Sequence, residues 1–200
     1  MTYAQLVKES QSVAAGLQDQ GIKYGDRVAI MARNVPHFFP LLGAASLIGA
    51  VVVLINRRLS TEEIKVILED TRPKMMIYED VQRNDVGPIL DQCSSVRTKI
   101  ALGQSQAGEM AYADLLQAGL AYPVLIAEYA PYIIIHTAAV QGRPRGAVLS
   151  QENLILAGLQ LTHTFGLTEQ DASISVLPLY HIMGLNLAFA ASLGRGKNVL

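Results

Sequence analysis

What the chain has little of sets its first limits. Its single cysteine, Cys93, excludes an internal disulfide framework and suits a reducing, cytoplasmic compartment. No activating base stands near it in sequence, so an incidental or buried thiol is a better reading than a catalytic nucleophile. Neither sign of charge is in excess: 16 Lys and Arg stand against 17 Asp and Glu, a formal net charge of -1. That balance, with a pI of about 6.4, offers nothing to a nucleic-acid partner. His37, His136, His163 and His181 show no metal-ligand spacing, so no metal site is read from them. There is no export signal, because Lys8 and Glu9 interrupt the start and no apolar core region follows. There is no internal repeat and no low-complexity tract. The uncharged stretch Phe38 to Ile55 comes close to the roughly 18–20 residues that a bilayer span needs. Pro40, Gly43 and Gly49 punctuate it, however, and after Gly49 the composition switches to Val51-Val-Val-Leu-Ile55. A buried helix, a turn and a buried strand account for it better than a membrane span.

What is present is apolar and ordered. The 200 residues are 50% hydrophobic and 16% charged, with a mean hydropathy of +0.28, ample for a real core. Thr2 and Gln5 have capping-box spacing, and Tyr3, Leu6, Ser10, Val13, Ala14 and Leu17 mark one helical face that Gly21 ends. Arg27 to Met31 reads as a strand, followed by the apolar helix ending near Gly49 and a strand at Val51 to Ile55. Ser60-Thr-Glu-Glu63 is a second capping box, opening a helix striped by Ile64, Ile67 and Leu68. A strand at Lys74 to Tyr78, a helix at Val81 to Gln92, an edge-like strand at Thr98 to Leu102 and a short helix at Met110 to Ala118 follow. This alternation predicts an α/β fold of parallel-sheet βαβ layers flanked by helices. Around Ala121 to Tyr129, which carries Pro123, the register changes. We read a joint there, dividing a first α/β part over 1–120 from a second part over 130–200.

The second part opens on Tyr132-Ile-Ile-Ile-His-Thr-Ala-Ala-Val-Gln-Gly-Arg-Pro-Arg-Gly-Ala-Val-Leu-Ser150. Ile133 to Ile135 form a buried strand. Thr137, Ala138, Ala139, Gly142 and Gly146 leave room for close approach to the backbone, and Pro144 holds Arg143 and Arg145 apart. Backbone N–H groups and guanidinium forks suit an anionic oxygen cluster. A hairpin with its arginines in water fits the local chemistry equally well. The Gly-Lys-Ser/Thr ending of a Walker A loop is absent, and Gly194-Arg-Gly196 is a weak dinucleotide signal. Ser150 caps a helix that runs to Phe165 and stops at Gly166. A strand at Ser173 to Leu177, an apolar helix to Leu193 and a strand beginning at Asn198 complete the chain. His181, on an apolar stretch, reads locally as a core histidine.

The loop resembles the phosphate loop of the adenylate-forming superfamily, whose pattern is Thr-Ser-Gly-Thr-Thr-Gly-x-Pro-Lys-Gly. Thr137, Gly142, Pro144 and Gly146 match it, Arg145 stands at the lysine, and Ala138, Ala139, Val140 and Gln141 depart from it. Leu177-Pro-Leu-Tyr-His-Ile-Met-Gly184 is similar to the superfamily's Leu-Pro-Leu-Phe-His-x-x-Gly, at the spacing that family shows. Tyr3-Ala-Gln-Leu6, Gly25 to Ile30, Ala50 to Asn56 and Leu59 to Glu63 resemble its opening segments in order. The resemblance covers the whole chain. It implies an acyl-CoA synthetase, which activates a carboxylic acid as acyl-AMP with ATP and Mg2+ and transfers the acyl group to coenzyme A. It further implies that Thr137, Ala138, Gln141, Gly142, Arg143, Arg145 and Gly146 hold ATP or pyrophosphate. Tyr180, His181 and Gly184 would border the acyl pocket, with His181 the catalytic residue. The family's Gly-Tyr-Gly-x-Thr-Glu and Thr-Gly-Asp segments, hinge and acyl-transfer lysine are not found, so residues 1–200 are expected to be an incomplete N-terminal domain, inactive alone. Self-association through apolar surface is expected, with Leu185 to Leu193 contributing. The altered loop also fits a non-catalytic scaffold whose nucleotide site has decayed.

Overall fold

A computed structural model describes residues 1–116, 119–127, 129–137 and 144–200. Its centre is a seven-stranded sheet: β1 (Arg27–Met31), β2 (Val51–Leu54), β3 (Met75–Glu79), β4 (Thr98–Leu102), β5 (Met110–Ala111), β6 (Pro131–His136) and β7 (Gly146–Ser150), in the order β5-β4-β3-β1-β2-β6-β7. Every pairing is parallel except β6 with β7, which closes one edge as an antiparallel hairpin. The expected mainly parallel α/β sheet is therefore the one observed.

Alternation along the strands sorts side chains to two faces. Val28, Ile30, Val52, Leu54, Ile77, Ile133 and Ile135 join α1 (Tyr3–Asp19) and α2 (Phe38–Ile48) in the larger core. Ala29, Met31, Val53, Met76 and Tyr78 pack on the other face against α3 (Thr61–Thr71) and α4 (Arg83–Leu90). Strands buried on both faces need apolar residues throughout, which is why these runs read as continuous rather than alternating. Both capping boxes form: Thr2 with Gln5, and Ser60 with Glu63. The uncharged stretch 38–55 is α2 followed by β2, and among the described residues no helix is long and apolar enough to cross a membrane.

Beyond the hairpin, α5 (Gln151–Phe165) pairs with α6 (Ile182–Leu193), and β8 (Ala172–Ile174) lies parallel to β9 (Lys197–Val199) in a separate two-stranded sheet. Thr162 Oγ1 donates to Ala190 O at 2.8 Å, joining the two helices, while Leu154, Leu185 and Ala188 enter the larger core.

Four expectations are corrected. Thr98 to Leu102 is no edge strand, because β5 pairs outside it, and of the helix expected over Met110 to Ala118 the described residues 110–116 supply that strand plus one 3-10 turn (Tyr112–Leu115). The strand expected over Ser173 to Leu177 ends at Ile174. Leu185 to Leu193 gives little of the exposed apolar surface: Leu185, Ala188, Ala190 and Ala191 are buried and only Leu193 at its end is exposed, whereas Ile155, Leu156 and Leu159 of α5, with Ile174 and Val176, are exposed.

Candidate functional site

The two candidate motifs follow from the ends of strands in one sheet. β6 delivers Thr137 at its C-terminal end, and the chain returns at Arg145 to begin β7. Thr137 N–H donates to Arg145 O at 3.0 Å, and the Thr137 hydroxyl lies 3.4 Å from the same carbonyl. These bonds extend the strand register, in which His136 faces Gly146, into a closed neck. Thr137 and Arg145 are both exposed, so a hydroxyl and a guanidinium fork stand at the mouth of the loop. Ala138, Gln141, Gly142 and Arg143, expected to line it, lie outside the described residues.

Gly146 has a packing reason to be glycine. A Cβ there would stand 2.9 Å from Ile134 Cγ2 and 3.1 Å from His136 Nε2. His136 itself is a residue that sequence reasoning passed over. Its side chain is only 4% exposed, and neither ring nitrogen has a hydrogen-bond partner. Asp70 Oδ2, on α3, approaches Nε2 only to 3.7 Å. Burial pushes the imidazole's pKa down, and the Asp70 carboxylate partly opposes that. The two residues line a pocket of about 170 Å³ with Val66, Ile67, Glu69 and Pro144, beside the loop.

The second motif is held by a side chain from β1's C-terminal end. Asn34 Nδ2 donates to Ser175 O at 2.6 Å and to Leu177 O at 2.9 Å, while Leu179 N–H donates to Asn34 Oδ1 at 2.8 Å. β8 itself is only as long as its pairing with β9, Ile174 facing Val199, and the residues after it are held by Asn34 instead of by a ladder. Leu179 and Tyr180 are buried in the larger core, and His181 emerges exposed. His181 is the N-cap of α6: its backbone is extended, and its Nδ1 accepts from Met183 N–H at 3.5 Å. A neutral imidazole that accepts through Nδ1 carries its proton on Nε2. The first turn of α6 carries no acidic residue, so its N-terminal dipole is uncompensated beside His181. Gly184 is required by contact, since a Cβ there would sit 2.3 Å from Pro178 O and 2.8 Å from Leu177 O.

Thr137 with Arg145, and Tyr180 with His181 and Gly184, therefore form two groups, each anchored at the C-terminal ends of parallel strands, β6 for the first and β1 for the second. In open α/β sheets that edge is where ligands bind. Asn34 lies beside Arg33 in the connection from β1 to α2, and no local signal singled it out.

The whole chain, residues 1–200, matches the family model described as AMP-binding enzyme. An acyl-CoA ligase, SID4, of Ajellomyces capsulatus is 28% identical over 217 residues, covering 100% of this chain and 37% of its own length. A long-chain-fatty-acid–CoA ligase of Thermus thermophilus is 30% identical over 202 residues, again covering 100% of this chain and 37% of its own. Among solved structures, a Rhodopseudomonas palustris protein described as a long-chain-fatty-acid CoA ligase superposes with a TM-score of 0.94 at 33% identity. That match covers 100% of this chain and 50% of the other. The chain thus spans well under half the length of these curated relatives.

Proposed function

The chain belongs to the AMP-binding enzyme family, and on that premise we propose that its two motifs serve an ATP-dependent acyl-CoA synthetase. In that reaction a carboxylate oxygen bonds to the α-phosphorus of ATP as the bond to the β-phosphate oxygen breaks, giving acyl-AMP and pyrophosphate. The thiol of coenzyme A then displaces AMP. The observation that carries the reading is the placement of an exposed Thr137–Arg145 neck and an exposed, N-capping His181 along one C-terminal edge of a parallel sheet.

The donor set fits that substrate. Two anions must be brought together in line, so charge on the departing pyrophosphate has to be met by fixed donors. Arg145 offers a bidentate fork for phosphate oxygens and Thr137 a hydroxyl, and arginine in place of lysine keeps the charge while adding the fork. His181 would direct Nε2–H, helped by the α6 dipole, toward the substrate carboxylate. Magnesium supplies charge neutralisation on ATP's phosphates when bound. Among the described residues no group of three or more His, Cys, Asp or Glu is placed to hold a metal, so none is assigned to it. Contacts to adenine, ribose, coenzyme A and most of the acyl chain are assigned to sequence that the relatives carry and these 200 residues do not span, and the 200 residues alone are expected not to turn over.

The test is a panel of carboxylic acids in ATP–pyrophosphate exchange, run on the 200 residues and on the longest polypeptide its gene encodes. Exchange in the longer polypeptide, with ATP binding weakened by Arg145→Ala, supports the synthetase. Absence of both exchange and ATP binding in that polypeptide overturns it in favour of the scaffold reading. Self-association is proposed through the exposed α5 face, Ile155, Leu156 and Leu159, since larger apolar patches recruit partners. Sedimentation that finds only monomer at high concentration overturns that part.

A further inference from the structure

We propose that Asn34 is the positioning residue for His181: its side chain clamps the segment 175–179 and so sets where the imidazole points. The functional meaning of that position rests on the reading of Pro178 to Gly184 given above, but the clamp itself does not.

The segment between β8 and α6 has no ladder of its own to fix it. Ser175 N–H donates to Val199 O at 2.8 Å, and Val176 N–H donates to Ile174 O at 2.9 Å, which ties down its start. Leu179 and Tyr180 anchor it to the core, yet apolar contact is non-directional and leaves sliding and rotation free. Asn34 supplies the missing direction with one donor group shared between two carbonyls and one acceptor for an N–H, across sequence separations of 141 to 145 residues. His181 N–H donates to Pro178 O at 3.0 Å, so the residue that carries the imidazole is turned directly off the clamped peptide. Gly184 then seats the start of α6 against the Pro178 and Leu177 carbonyls, and Met183 N–H donates to His181 Nδ1.

Only an amide meets this set. An aspartate is the same size but lacks donors, and it would set a carboxylate oxygen against the carbonyls of Ser175 and Leu177. Alanine leaves two buried-side carbonyls and one N–H to find water. Asn34 lies three residues past the end of β1, so its position is tied to the most central strand of the sheet.

The experiment compares the native chain with Asn34→Ala, Asn34→Asp and the control Asn56→Ala. Asn56 follows β2, as Asn34 follows β1, and its Oδ1 accepts from Arg58 N–H at 2.9 Å without touching residues 175–181. Two readouts serve: amide hydrogen exchange at Leu179, and nitrogen-15 NMR of the His181 ring, assigned through His181→Gln. The native chain is expected to show a protected Leu179 amide and a ring held as the Nε2–H form. Asn34→Ala is expected to speed Leu179 exchange by about tenfold or more, as a local opening would, and to mix the ring tautomers. Asn34→Asp is expected to disturb the ring as much as Asn34→Ala does, and Asn56→Ala to leave both signals in place. A native-like ring signal in Asn34→Asp means that Asn34 only fills space and overturns the proposal. If the variants do not fold, the native chain decides, since a Leu179 amide exchanging at the free-peptide rate overturns it as well. Titration with octanoate separates the two readings: no octanoate-induced shift of the native His181 signal counts against the carboxylate role, and the clamp is still judged by the variants.

Discussion

Thr137 N–H donates to the carbonyl of Arg145 at 3.0 Å, so one hydrogen bond fixes the two ends of the 137–145 segment at strand spacing. The guanidinium that leaves from this bonded residue is therefore carried on rigid backbone at the rim, not on a free loop. Arg145→Ala is expected to weaken pyrophosphate binding by about ten- to hundredfold, the equivalent of roughly 1.5–3 kcal/mol for a hydrogen bond to a charged group. Arg145→Lys should recover part of the loss, because it keeps the charge without the fork. Isothermal titration with pyrophosphate reads both, and equal affinity in the native chain and Arg145→Ala would remove Arg145 from the site.

Gly184 and Gly146 both stand where a Cβ would collide, but with different partners. At Gly184 the nearest atom is a backbone carbonyl oxygen at 2.3 Å, which cannot move without moving the motif. At Gly146 it is the Cγ2 branch methyl of Ile134 at 2.9 Å, a side-chain atom that a χ1 change can move without moving backbone. Gly184→Ala is thus expected to cost about 1–3 kcal/mol, the range for overpacking, and Gly146→Ala clearly less. Urea unfolding of the two variants checks the order, and a reversed order would mean that the Leu177–Pro178 backbone is not held as described.

The alternation of strand and helix was legible because each buried strand is flanked by capping and turn residues that act locally: Thr2, Ser60 and Ser150 all cap through their own side chains. β5 was not legible, since Met110–Ala111 is too short to show a period, and its place is fixed by pairing with β4. Residues 175–177 look like strand because Val176 and Leu177 are apolar. What holds them is Asn34, more than a hundred positions earlier, and no local pattern carries that information. Within the site, the motif residues were visible by resemblance, while Asn34 and His136 act through contacts that only the fold creates.

Glu109 ties the short β5 edge to the rest of the sheet. Arg83 Nε donates to its Oε1 at 2.7 Å, the Tyr78 hydroxyl donates to the same oxygen at 2.6 Å, and Gln106 N–H donates to Oε2 at 2.9 Å. The hydrogen bond from Arg83 leads these in holding the carboxyl at about 2, against an ordinary 4.5. Burial and the Glu109 contact push the Tyr78 phenol well up. A depressed carboxyl stabilises the fold fully above its unfolded value and progressively less below it. Glu109→Gln is therefore expected to cost roughly 1–3 kcal/mol at neutral pH, as a lost hydrogen bond to a buried charge does. The gap between variant and native chain should narrow from pH 4.5 down toward 2, and a gap independent of pH would contradict the assignment.

His136 predicts the reverse substitution effect. Its ring is buried with both nitrogens unpartnered, and it stays neutral in the fold because burial lowers its pKa below the ordinary 6.5. The unfolded chain takes up a proton near 6.5 that the folded chain refuses, so the native protein loses stability as pH falls through and below that value. His136→Leu removes both the unpartnered nitrogens and the refused proton. It is expected to raise stability by about 1 kcal/mol or more at neutral pH, the lower end of the cost of an unsatisfied buried polar group. The advantage should widen on going from pH 7 to pH 5. Asp70→Asn in the native background should steepen the same loss, since the carboxylate 3.7 Å from Nε2 is what favours the charged ring. His37 is depressed by burial too and remains in every variant, so the comparison is the difference between native and His136→Leu chains at each pH. A difference that stays flat from pH 7 to pH 5 would mean that the ring titrates alike in the folded and unfolded chains, and one that narrows would mean that the folded protein favours the charged ring, paired with Asp70.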